Sequence, residues 1–192
     1  MMIPYAKLNV LIAEDHKFTR YLLREVLYNL GCQRSAIHEV EDGSAGFKIM
    51  AEKQVDLVIS DWQMQPMDGL EFTRKLRDPE CSKNPFVPII LCTAHSDRDL
   101  IQLALDAGVT EIMTKPISAK VLESRIREVF ERPRPFVQAT EYFGPDRRRR
   151  NDDVAPPKER RRARRTVIKQ VSADKLSQRA QAPNGFVRTD DA

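Results

Sequence analysis

Between residues 8 and 132, short apolar runs alternate with amphipathic stretches five times over, and this alternation constrains the fold more than any other feature. The run at 8–13 (Leu-Asn-Val-Leu-Ile-Ala) stops abruptly at Glu14-Asp15, as a buried parallel strand does at its carboxyl end. From 17 to 30, Leu23, Leu27 and Leu30 recur at helical spacing, and Gly31 stands where a left-handed C-terminal cap belongs. The pattern then repeats, with strands expected at 36–40, 56–60, 87–92 and 111–113. Helices are expected over 44–53 and 69–77. A further one begins with a Ser96/Asp99 capping box, carries Leu100, Leu103, Ala104 and Ala107, and closes at Gly108. Ser118 is expected to cap a last helix whose inner face is Val121, Leu122, Ile126 and Val129, with Pro133 and Pro135 ending it.

Strict strand–helix alternation implies a parallel sheet with right-handed crossovers and helices on both faces, a small doubly wound α/β fold. Open sheets of this kind bind ligands beyond the carboxyl ends of their strands, so chemistry is expected there. Glu14 and Asp15 follow the first expected strand, Asp61 the third, Thr93 the fourth, and Lys115-Pro116 the fifth. Three carboxylates drawn together repel one another unless a cation sits among them, and hard oxygen donors with room for water suit Mg2+. A lysine opposite them would pair with an added anionic group, and a threonine hydroxyl could donate to it. Carboxylate nucleophile, Mg2+ and lysine together suit phosphoryl transfer to an aspartate.

Over roughly residues 6–131 the sequence resembles the receiver domain of two-component response regulators. The resemblance is carried by Val10-Leu11-Ile12-Ala13-Glu14-Asp15 and by the stretch from Asp56 to Gly69, which includes Ser60-Asp61-Trp62-Gln63-Met64-Gln65-Pro66-Met67-Asp68-Gly69. Ile90-Leu91-Cys92-Thr93-Ala94 and Met113-Thr114-Lys115-Pro116 complete it. It implies a flavodoxin-like (βα)5 sheet with strand order 2-1-3-4-5. It also implies Asp61 as phosphoacceptor, Asp15 as a direct Mg2+ ligand, Glu14 as the acid holding a metal-bound water, and the Gln63 backbone carbonyl as a further ligand. Thr93 would hydrogen-bond the phosphoryl oxygens, Lys115 would pair with them, and the Lys115–Pro116 bond would be cis. The implied partner is a histidine kinase or a histidine phosphotransfer protein. The receiver would assist its own phosphoryl transfer and hydrolysis, with no separate catalytic output module.

Some positions depart from the family pattern. Pro66 lies one residue later than the usual proline, where Gln65 now stands, which alters loop stiffness rather than ligand chemistry. Ile112 occupies the position of the aromatic that many members swing inward on activation, so readout by that route is not expected. His95 is expected at the pocket rim as a surface residue, His16 at a helix start because neutral imidazole suits Mg2+ poorly, and His38 in a structural role. Cys92 reads as a small buried hydrophobe.

Charge divides the chain in two. Residues 1–132 carry 17 basic and 20 acidic side chains, net −3, whereas residues 133–192 carry 15 and 8, net +7. The first part is expected as the receiver and the second as a basic, Pro/Arg-rich, largely disordered tail, with a short helix over 166–182. Phe136, Tyr142 and Phe143 precede the arginines at 147–150 and could stack on bases while the cations meet phosphates, which makes a nucleic-acid-binding regulator the alternative function. An acidic protein face or anionic lipid would be further targets. A magnesium-dependent phosphatase is disfavoured, because Asp61-Trp62-Gln63 lacks the Asp-x-Asp spacing of such enzymes. Three cysteines, odd in number and without Cys-x-x-Cys spacing, argue against a disulfide framework or a zinc site. A cytoplasmic protein without a signal segment or membrane span is expected.

Overall fold

The computed structural model describes residues 3–139, 142–147 and, as backbone alone, 166–168. Five strands, β1 (Val10–Ala13), β2 (Ile37–Val40), β3 (Leu57–Asp61), β4 (Ile89–Thr93) and β5 (Glu111–Thr114), form a parallel sheet in the order β2-β1-β3-β4-β5. Helices α1 (Lys17–Asn29), α2 (Gly43–Glu52), α3 (Gly69–Arg77), α4 (Arg98–Ala107) and α5 (Ala119–Glu131) make the crossovers. This is the doubly wound arrangement that the alternation predicts. Side chains along each strand point to opposite faces in turn. Val10 and Ile12 therefore pack with Leu23 and Leu27 of α1 and with Leu122 and Ile126 of α5. Leu11 and Ala13 pack on the other side with Met50 of α2 and with Phe72 and Leu76 of α3.

Helix starts follow local chemistry. Asp42, Asp68 and Ser118 each accept a backbone N–H of the helix they precede. The expected Ser96 cap is displaced: the first turn of α4 closes with Ile101 N–H donating to Asp97 O, 3.0 Å, so Ser96 lies outside the helix and Asp97 occupies its cap without a side-chain bond. Val121, expected on the inner face of the last helix, and Leu103, one of the apolar residues of the fourth, both point outward. The buried stripe of α4 is Ala104 and Ala107, which turns Leu103 to solvent at 45% exposure, and the stripe of Leu122, Ile126 and Val129 leaves Val121 on the rim of α5.

The expectation of disorder fails just beyond α5. Strands β6 (Phe136–Ala139) and β7 (Tyr142–Pro145) form an antiparallel hairpin, and β8 (Thr166–Ile168) pairs along the other edge of β6. Thr166–Ile168 is thus strand where a helix was expected, and the rest of that expected helix lies outside the described residues, as do 148–165. The hairpin is held by tertiary contacts that no local pattern reveals. Phe136 is fully buried, its ring 5.1 Å from that of Phe86 and 5.6 Å from that of Phe143. Beneath it lies the buried Arg77, whose guanidinium donates to the carbonyls of Gly108, Pro85 and Val87, each at 2.8 Å, and whose Cζ is 5.2 Å from the Phe136 ring centre. A Cβ on Gly144 would come within 2.7 Å of the Tyr142 hydroxyl and 3.1 Å of Gly108 Cα, so a larger residue there would have to displace the Tyr142 ring and loosen the approach to Gly108. Arg147 stacks on Tyr142 and pairs with Asp106 of α4, while Arg134 pairs with the buried Glu111 at 2.6 Å. Phe136 is therefore unavailable for stacking on bases.

Among the described residues no helix is long and apolar enough to cross a membrane.

Candidate functional site

Parallel strands in register deliver their carboxyl ends to one edge. Ala13 pairs with Ser60, Asp61 with Cys92, and Thr93 with Thr114, so the residues at or just past these pairs come together in space. Asp61 and Thr93 are the last residues of β3 and β4, one residue further along than the sequence pattern suggests. Glu14 follows β1 and is held by its N–H donating to Val40 O, 3.1 Å. Lys115 follows β5, its N–H donating to Thr93 O at 2.7 Å. The Lys115–Pro116 bond is cis, and so is Gln65–Pro66, which the sequence pattern does not indicate. Gly69 closes the site from below: a Cβ there would sit 2.1 Å from Asp61 O, so α3 can start against the strand end only with glycine.

Glu14, Asp61 and Thr93 are buried, whereas Asp15 and Gln63 are exposed and Lys115 is half-buried. The Lys115 ammonium lies 2.9 Å from Asp61 Oδ1 and donates to Glu14 Oε2 at 3.1 Å and Oε1 at 3.3 Å. Carboxylate oxygens of Glu14, Asp15 and Asp61 all lie within 4.8 Å of one another. One ammonium stands among three carboxylates, and the balance shows in the proton affinities of Glu14 and Asp61. Burial, then the charge of Asp61, holds the Glu14 carboxyl above its usual range against the pull of Lys115. Burial likewise raises Asp61, opposed by Lys115. For Lys115 burial favours the neutral amine, but the bonds and charges of Asp61 and Glu14 outweigh it and leave the ammonium more basic than usual. Such a pocket has excess negative charge and oxygen donors at chelating distance, which fits a hard divalent cation such as Mg2+.

The remaining candidates fall into place around this centre. The Thr93 hydroxyl accepts the His95 N–H at 3.0 Å at the pocket's edge. Gln63 lies in the loop two residues beyond Asp61. His16 is the N-cap of α1, its Nδ1 accepting from Thr19 N–H, and is not turned to the carboxylates. Cys92 is fully buried within β4, and Ile112 packs against the cluster of Leu70, Leu91 and Ala104. One neighbour escapes the motif reading: Arg20 of α1 donates to the backbone carbonyls of Glu14 and Asp15. Its only sequence signal is a cation one helical turn after the acidic pair.

A family model described as the response regulator receiver domain matches residues 10–127. The chain is 32% identical over 125 residues to the chemotaxis protein CheY of Pseudomonas aeruginosa, a match covering 65% of this chain and 98% of that protein. It is 38% identical over 125 residues to a probable chemotaxis protein CheY of Rhizobium etli, covering 65% and 93%. The signal receiver domain of a histidine kinase from Syntrophus aciditrophicus superposes with a TM-score of 0.56 at 29% identity, covering 64% of this chain and 89% of that one.

Proposed function

The chain belongs to the response regulator receiver domain family, and from that premise we propose that it is a phosphoacceptor switch, phosphorylated on Asp61 by a histidine kinase or a histidine phosphotransfer protein. The observation that carries this reading is the Lys115 ammonium 2.9 Å from Asp61 Oδ1, beside the Glu14 and Asp15 carboxylates. An Asp61 oxygen attacks the phosphorus of the donor. A P–O bond forms, the P–N bond of the phosphohistidine breaks, and the leaving imidazole takes up a proton. Lys115 then shifts its ion pair from the carboxylate to the new phosphoryl oxygens, and the Thr93 hydroxyl donates to another of them. Asp15, Asp61 and the Gln63 carbonyl would hold Mg2+, with Glu14 acting through a water. The ion supplies charge neutralisation for the incoming phosphoryl group.

Output leaves through the receiver surface and the segment after α5. The docked hairpin supports this, because Phe136 packs over the Arg77 guanidinium at the end of α3 and Arg147, just after the hairpin, pairs with Asp106 near the end of α4. Intact mass after incubation with acetyl phosphate and Mg2+ tests the assignment. The parent is expected to gain one phosphoryl group and Asp61→Asn none. Undiminished labelling of that variant would refute Asp61 as the acceptor.

A further inference from the structure

Resting on the phosphoacceptor reading above, we propose that Arg20 is a positioning residue for the Mg2+ site, fixing the backbone from which the Asp15 carboxylate projects. No hydrogen bond among the described residues is seen to that carboxylate, which is exposed, so its reach to the metal depends on where the main chain places its Cα. Besides the His16 N–H, which donates to the Glu14 carboxylate, two hydrogen bonds restrain that main chain from opposite sides. On one side the Glu14 N–H donates to Val40 O, 3.1 Å. On the other, Arg20 Nη1 donates to Glu14 O at 2.5 Å and reaches Asp15 O at 3.4 Å. The same guanidinium is tied down in turn by Glu41, whose Oε1 accepts from Nη2 at 2.8 Å. Arg20 thereby links the end of β1, the turn into α1 and the segment after β2. Its side chain is only 12% exposed, against 75% for Glu41, so the fork is packed rather than waving in solvent.

Helix electrostatics do not account for the residue. Arg20 stands in the first turn of α1, its N–H donating to His16 O, and that turn contains no acid. The positive end of the helix dipole disfavours a cation there. A planar guanidinium with several donors can hold two carbonyls and a carboxylate at once, which a point-charge ammonium cannot match. Groups that orient metal ligands without touching the metal commonly contribute about 10–100-fold in affinity.

Two roles predict opposite signs. A cation that acts only by its charge repels Mg2+, so its removal would tighten binding. A cation that orients the ligand backbone, with Glu41 offsetting its charge, strengthens binding, so its removal weakens it. Trp62, the one tryptophan of the chain and adjacent to Asp61, should report Mg2+ binding by fluorescence. Titration of the full chain with MgCl2 is expected to give a Kd for Arg20→Ala about tenfold weaker than the parent's, with Arg20→Lys between the two. If Arg20→Ala does not fold by circular dichroism, Arg20→Lys decides: weaker binding supports the proposal, and parental or tighter binding overturns it. Unchanged or tighter binding by a folded Arg20→Ala also overturns it. A parent chain that binds no Mg2+ by calorimetry would instead refute the reading on which the proposal rests.

Discussion

Lys115 holds two buried carboxylates at once, its ammonium 2.9 Å from Asp61 Oδ1 and 3.1 Å from Glu14 Oε2. One cation cannot balance both of them and Asp15 as well. The site is therefore built at the expense of the metal-free fold, and this has a measurable sign.

Both Glu14 and Asp61 have their carboxyls raised, burial being the main cause. A raised acid favours the folded state while protonated. Its contribution is present below the ordinary carboxylate range, about 4, and is lost as pH climbs through the raised value. Without divalent metal, Asp61→Asn is therefore expected to melt higher than the parent at pH 7. The gap should narrow as pH falls towards 4 and should shrink when Mg2+ is added. Melting curves across that range check it, and a gap independent of both pH and Mg2+ would show that repulsion at Asp61 does not limit stability.

Asp15 and Glu14 should differ in their effect on the metal. Glu14 is buried and already engaged by Lys115 through both oxygens, whereas Asp15 is exposed and open to a direct bond. Asp15→Asn is expected to weaken Mg2+ binding more than Glu14→Gln, because a direct ligand loses charge at the metal and a water-holding acid acts one shell out. Calorimetric titration gives the order, and equal affinities would reject it.

How far the sequence discloses this molecule depends on the range of the interaction. Alternating apolar runs disclose the parallel sheet because its central strands β1, β3 and β4 are buried on both faces, and strand ends disclose Glu14, Asp61, Thr93 and Lys115 because parallel strands share one edge. Boundaries shift by a residue or two, as at Asp97, where a cap depends on the turn before it. The hairpin at 136–145 is not legible. Pro133, Pro135 and the arginines read as breakers, and the partners that fold it, Phe86, Arg77 and Gly108, stand 28 to 59 residues away in sequence. Arg20 is missed for a similar reason: backbone carbonyls as partners leave no mark on side-chain patterns.

The hairpin should count towards the stability of the receiver. Phe136 is a fully buried aromatic against Phe86 and Phe143, and truncating such a side chain typically costs about 3–5 kcal/mol. Phe136→Ala is expected at the low end, about 3 kcal/mol, because the pocket lies near the surface. Tyr142→Phe, which loses the hydroxyl's 2.7 Å bond to Pro145 O, should cost about 1 kcal/mol. Ending the chain at Arg132 should destabilise it further by uncovering Arg77 and Phe86. Urea unfolding of the three variants checks the ranking. A truncated chain as stable as the parent would mean that the hairpin rides on the receiver without supporting it.

The cysteines give an independent measure of how closed the sheet is. Cys81 is exposed and donates its S–H to Asp78 Oδ2, 3.2 Å, an interaction that raises its thiol somewhat. Cys32 and Cys92 are buried; burial pushes the Cys32 thiol up to about 11, and at Cys92 burial comes first, with the charges of Asp61 and Glu14 adding to it. Thiolate is the reactive form, so both buried sites are closed by access and by ionisation together. Native protein at pH 8 is expected to take up one equivalent of an alkylating reagent quickly, and Cys81→Ser none, while denatured parent takes up three. Modification of Cys32 and Cys92 in the native state then requires the sheet to open. Their slow rates should therefore rise with urea on the slope of global unfolding. Rapid native labelling of Cys92, or a rate indifferent to urea, would show that the end of β4 beneath Asp61 opens locally, contrary to the closed sheet described above.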